Sequence, residues 1–158
     1  MDNEGRKPCE ALEDGLELEG GWKVIEKINK GNNATGGTFS SGYKVKKDNI
    51  FGYLKALDFS SAFKAPDMPE AMYALTKAFI FERDLLKKCK DKKLSKIVTA
   101  IADGSVLVSG YVGEISRVYY IIFNFADGDI RKIKDTFERI DLVFAFRSLR
   151  WIATVTYQ

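Results

Sequence analysis

Phe51-Gly52-Tyr53-Leu54-Lys55-Ala56-Leu57 is an aromatic and aliphatic run, bounded by Asp48-Asn49 before it and Asp58 after it. That composition and punctuation predict a short buried strand. Lys55 is its only charged residue. An unpaired buried charge is expensive, so the ammonium either snorkels to an edge or faces a buried anion.

Downstream, Pro69 to about Lys90 has the pattern of an amphipathic helix with proline in its first turn. Leu75, Phe79, Glu82 and Leu86 recur at spacings of four, three and four, which puts them on one face. Glu82 therefore sits within the apolar stripe, while Arg83, Asp84, Lys87 and Lys88 fall mostly off it. A carboxylate aimed at a core needs a cation, and Lys55 is the nearest candidate that also lacks a partner. The plainer alternative places Lys55 on a sheet edge and Glu82 at the margin of the stripe.

Residues 1–19 lack apolar periodicity and read as a flexible N-terminal segment. Trp22 to Ile28 reads as a first strand, with Trp22, Val24 and Ile28 on one face. Lys30 to Gly37, with three glycines and two asparagines, is a loop by composition. Phe39 to Lys46 is a second strand, with Phe39, Tyr43 and Val45 on one face, and Asp48-Asn49 turns it into the lysine strand. Val98 to Ser109 and Arg117 to Phe125 are two more strands, linked by a turn containing Gly110 and Gly113. Asp129 to Thr136 reads as a short helix. Phe137 to Gln158 reads as a longer one, apolar around much of its circumference.

The order of these pieces resembles the small lobe of a eukaryotic-type Ser/Thr protein kinase. Thr35-Gly36-Gly37-Thr38-Phe39-Ser40-Ser41-Gly42 resembles the glycine-rich loop, and Tyr53-Leu54-Lys55 the lysine strand. Phe81-Glu82-Arg83-Asp84-Leu85-Leu86 resembles the glutamate helix. Tyr119 to Gly128 resembles the strand leading into the hinge, and Phe146 to Ile152 the long helix that opens the large lobe. The match runs from about residue 20 to residue 158. It implies an α+β fold: a twisted antiparallel sheet of about five strands, one packed helix, a hinge and two further helices. Residues 20–128 would be the lobe with its hinge, and 129–158 the first helices of a truncated large lobe.

The resemblance also implies a site. Lys55 would reach the α- and β-phosphates of ATP, and Glu82 would hold it. The hairpin around Gly36 and Gly37, with Phe39 at its tip, would close over the phosphates. Backbone groups of Asn124, Phe125 and Ala126 would hydrogen-bond adenine beside Phe123 at the gatekeeper position. Thr35 and Ser40 stand where the family has its first and third glycines. Gly42 replaces a valine that packs on adenine, and Tyr53 replaces an alanine two residues before the lysine. Tyr53 either fills the space that Gly42 vacates or occupies the adenine pocket.

No histidine occurs in the chain, so no histidine-containing catalytic loop is expected. Arg139-Ile140-Asp141-Leu142 looks like that loop only superficially. The chain ends before the family's catalytic loop and metal-binding aspartate motif, so no kinase activity is expected of it alone. Mg is a requirement of the intact kinase. The apolar surface of the last helix is expected to be covered by the missing large lobe or by another protein.

Composition bounds the rest. The chain has 158 residues with a 46% hydrophobic fraction, enough for one domain with a single core. A net charge of +3 is too small to imply nucleic acid. No signal peptide or membrane span is evident, and the cytoplasm is the expected location. Cys9 and Cys89 read as free thiols, and a zinc site is not expected. The dense run Lys87 to Lys93 is a solvated helix end or a docking patch for an acidic partner. Three functional readings follow: the ATP-binding lobe of a protein kinase, a pseudokinase-like interaction module without nucleotide, or a small α+β domain unrelated to kinases.

Overall fold

A computed structural model describes residues 6–29, 39–94 and 98–126. Six strands form one antiparallel sheet: β1 (Glu17–Leu18), β2 (Trp22–Ile28), β3 (Ser40–Lys47), β4 (Ile50–Leu57), β5 (Ala100–Leu107) and β6 (Arg117–Asn124). Their spatial order is β1-β2-β3-β4-β6-β5. One α-helix among the described residues, α1 (Met68–Asp91), connects β4 to β5. The α+β class holds, and the sheet has six strands rather than about five. The two helices expected over 129–158, the Lys30–Gly37 loop with Gly36 and Gly37, and the resemblance at 139–142 all lie outside the described residues.

The heptad is a strand because its alternation serves two different layers. Gly52, Leu54 and Ala56 are buried on one face, whereas Tyr53, Lys55 and Leu57 are partly exposed on the other. The first face forms the main core, with Trp22, Val24, Tyr43, Val45, Val118, Tyr120 and Ile122. Across the ladder Lys55 stands opposite Ile121 and Tyr53 opposite Phe123. Those residues therefore share the second face, which α1 covers with Phe79 and the partly buried Met72, Leu75 and Leu86. Tyr119 packs between Phe59 and Phe79, with ring centroids 5.1 and 5.5 Å away and tilted planes.

Three expectations are corrected. Residues 6–19 are packed, not loose: Cys9, Ala11, Leu12 and Leu18 are buried in the main core. The sheet face opposite α1 needs a cover, and this segment supplies it. The Tyr43 hydroxyl donates to the Cys9 carbonyl (3.0 Å) and the Tyr111 hydroxyl to the Arg6 carbonyl (2.7 Å). The segment also provides the sixth strand, where Leu18 pairs with Trp22. At the far edge the Glu19 N–H donates to the Tyr120 hydroxyl (3.2 Å), and β1 meets β5, so the sheet curls nearly into a barrel.

The second correction is at Ile28. A bulge between Val24 and Glu26 shifts the register, so Val24 pairs with Val45 but Ile28 with Gly42. An extra residue in one strand flips everything beyond it to the other face. Ile28 thus leaves the face of Trp22 and Val24. Phe39, expected beside Tyr43 and Val45, precedes β3 and is exposed.

The helix begins where its signals stand. The Asp67 side chain accepts from the Glu70 N–H (3.0 Å), Pro69 lies in the first turn, and Lys88 and Lys90 occupy the last. Cys9 and Cys89 are free and buried. No helix among the described residues is long and apolar enough to cross a membrane.

Candidate functional site

Lys55 and Glu82 come from elements far apart in the chain, yet their side chains meet. The Lys55 ammonium donates to both Glu82 carboxylate oxygens, at 2.7 and 2.8 Å. The strand's alternation aims Lys55 toward the helix layer, and the helical spacing that buries Phe79 turns Glu82 toward the sheet. The two side chains keep 29% and 36% of their surface exposed. The pair is therefore reachable from solvent, and a ligand can approach the ammonium without first breaking a buried ion pair.

Both residues line a cleft of about 300 Å³ between the end of β4 and α1. Phe39 and Ser40 form its rim, Leu57 and Phe59 one wall, and Leu75, Ala78 and Phe79 the other. Lys55 and Glu82 thus set a paired ammonium and carboxylate in the lining of a cleft whose walls are otherwise largely apolar.

Of the residues expected at a nucleotide site, Lys55, Glu82 and Phe39 are brought together here. Gly42 and Tyr53 lie next to each other on the same sheet face, outside the lining of the cleft. A Cβ placed on Gly42 would sit 2.8 Å from Tyr53 Oη and 2.9 Å from its Cε2. The phenol thus covers the backbone of Gly42. Burial also pushes the Tyr53 hydroxyl pKa up. Phe123 packs against the cluster of Phe59, Phe79 and Ile121. Asn124 ends β6 opposite Gly52, and the Phe125 N–H points at the Phe51 carbonyl (3.4 Å). Ala126 follows without a described bond.

Asp58, which in the sequence marks only the boundary of the strand, has a larger part in the structure. It lines the cleft and is almost wholly buried. Its Oδ1 accepts from the Ser60 N–H (2.9 Å) and hydroxyl (2.5 Å), and its Oδ2 lies 2.7 Å from the Lys7 ammonium. The signal was local: aspartate with serine two positions on is the pattern of an Asx turn. Lys7 carried no signal, since the ion pair spans from the N-terminal segment to the end of β4.

Burial raises the Asp58 pKa, but the hydrogen bonds from Lys7 and Ser60 outweigh it and hold the carboxyl below its ordinary value. A depressed folded pKa contributes stability above the unfolded value of about 3.9, and that contribution is lost as pH falls through the folded value. Asp58→Asn is therefore expected to cost about 2 kcal/mol near neutral pH. The gap to the unsubstituted protein should narrow steadily below about pH 4. Urea midpoints at several pH values measure this, and a gap independent of pH would contradict it.

Comparison with protein-family models and with curated proteins gives no match.

Proposed function

We propose that the chain is the nucleotide-binding lobe of a protein kinase of the Ser/Thr type. The observation that carries this reading is the two-pronged Lys55–Glu82 contact at the mouth of an apolar cleft. The order of hairpin, lysine strand, glutamate helix and two further strands supports it. Lys55 would bind the α- and β-phosphates of ATP, and Glu82 would keep the ammonium extended and oriented. Asn124, Phe125 and Ala126 would hold adenine through backbone groups other than the Phe125 N–H, which donates to the Phe51 carbonyl, with the Tyr53 ring as the roof in place of the usual valine and alanine. The intact protein would transfer the γ-phosphoryl group of Mg-ATP to a protein hydroxyl. The reading assigns it to the cytoplasm, where Mg-ATP is available.

A second reading, a pseudokinase-like interaction module, is favoured by one observation. The Tyr53 phenol lies against Gly42, in the layer where a base would stack. Titration calorimetry with Mg-ATP on the chain and on Tyr53→Ala separates the two. If Tyr53 is the roof, ATP binds and the substitution weakens it about tenfold, the loss of one base–aromatic stack. If Tyr53 is a plug, the chain does not bind and Tyr53→Ala does. No binding by either folded protein would sink the nucleotide reading.

A further inference from the structure

The two halves of the N-terminal segment are held to the sheet by different means. Beyond Asp14 the backbone pairs with β2. The Gly15 N–H donates to the Val24 carbonyl (2.8 Å), the Val24 N–H to the Leu16 carbonyl (3.0 Å), and β1 continues the pairing. Residues 6–12 have no such ladder among the described residues. Their backbone hydrogen bonds are internal, from the Glu10 N–H to the Lys7 carbonyl and from the Ala11 N–H to the Pro8 carbonyl. Side chains tie them to the body instead. Cys9, Ala11 and Leu12 are buried in the core, two tyrosine hydroxyls donate to the Arg6 and Cys9 carbonyls, and Lys7 pairs with Asp58. A segment held by a few side-chain contacts opens at lower cost than one held in a sheet ladder.

Lys7 is the exposed end of that attachment. Its side chain keeps 46% of its surface, whereas that of Asp58 keeps 1%. Asp58 in turn holds the Lys55 cleft. Its N–H donates to the Phe39 carbonyl (2.9 Å), and its Oδ1 takes both bonds from Ser60. One residue thus joins the N-terminal segment, the Phe39–Ser40 rim and the Phe59 wall. Removing the Lys7 ammonium leaves the buried Oδ2 without its cation, and an uncompensated buried charge is costly. The cheapest relief is for Asp58 to turn toward water, which draws the rim and the wall with it.

We infer that residues 6–12 are a strap that opens as a local unit, that the Lys7–Asp58 pair is its latch, and that opening loosens the rim of the Lys55 cleft. Lys7 and Asp58 act here as positioning residues, and neither needs to touch what the cleft binds. By linkage, a ligand that favours the closed rim also holds the strap down, and a docked strap favours that ligand. The strap and its latch stand apart from the kinase reading. Only an effect on Mg-ATP rests on it.

The two buried thiols supply the test, because Cys9 reports on the strap and Cys89, late in α1, on the rest of the fold. The full chain is alkylated with iodoacetamide, and each cysteine is followed separately by mass spectrometry. Lys7→Met keeps most of the stem and removes the charge. It should speed Cys9 about tenfold and leave Cys89 unchanged, the effect of losing one hydrogen bond to a charged group. Lys7→Arg should restore the slow rate. Amide exchange at Asp58 and Ser60, followed by NMR, should rise with Cys9 reactivity in Lys7→Met. Equal Cys9 rates with and without Lys7, equal acceleration of both cysteines, or unchanged exchange at Asp58 and Ser60 overturns the inference. If the unsubstituted chain binds Mg-ATP, the nucleotide should also slow Cys9, and nucleotide that leaves Cys9 unaffected overturns the coupling. A chain that binds no Mg-ATP ends the nucleotide reading alone, and alkylation and exchange still decide on the strap.

Discussion

Gly52→Val is expected to lower the stability of the fold by about 3 kcal/mol, the upper end of what overpacking a core costs. Gly52 sits on the buried face of β4, and a Cβ there would lie 2.8 Å from Ile122 Cγ2, 3.0 Å from Val45 Cγ2 and 3.1 Å from Trp22 Cζ3. All three neighbours are buried, so none can swing into solvent. Replacing a strand glycine with a β-branched residue ordinarily helps by at most about 1 kcal/mol. Steric strain therefore wins. Gly42→Val makes the contrast, because the three atoms nearest its Cβ all belong to Tyr53, on the partly exposed face. That ring can rotate outward, so Gly42→Val should cost clearly less. Urea denaturation of both variants decides. Equal losses, or a Gly52→Val loss below about 1 kcal/mol, would mean the core repacks around the new side chain.

If the cleft holds Mg-ATP as proposed, Lys55→Ala is expected to weaken that binding about a hundredfold while barely moving stability. Hydrogen bonds to a charged group contribute about 1.5–3 kcal/mol each, and every 1.4 kcal/mol is a factor of about ten in affinity. Loss of a cation that would face phosphate on this reading therefore falls between tenfold and hundredfold, and the upper end is expected if it meets two phosphates. The stability change should stay within about 1 kcal/mol, since both partners are substantially solvated and Glu82 can hydrate when left alone. Glu82→Gln keeps the shape but not the charge. It should weaken binding less than Lys55→Ala, because it loosens the ammonium without removing it. Calorimetry on the three proteins gives the order. If Lys55→Ala binds as well as the unsubstituted chain, the pair is a structural brace and the cleft is not a phosphate site.

The strand around Lys55, the helix around Glu82, and their facing charges were legible because each rests on a short-range period. A two-residue alternation and a four-three-four spacing fix which way a side chain points within its own element, whatever it later meets. The same logic found the flanking strands and the turn at Gly110 and Gly113. It failed where the determining contact is remote in sequence. Cys9, Leu12 and Leu18 are isolated apolar residues in a polar stretch, and only the uncovered side of the sheet makes them core. Ile28 changes face through a bulge that no residue type announces. Asp58 gains its importance from Lys7, fifty-one positions earlier.

The close fit of Tyr53 and Gly42 lies between these cases. The sequence carries both halves of the swap, a large residue where a small one is usual and the reverse. Side-chain direction within β4 places Tyr53 on the right face, but only the β3–β4 register sets it against Gly42. Phe81 and Leu85, exposed on α1, belong there too, since they look like any apolar helix residues until the sheet takes the opposite face. The local periods of this chain thus determined its elements and their inward faces. Tertiary structure alone decided which faces stayed uncovered, because burial depends on what else in the fold is near enough to exclude water.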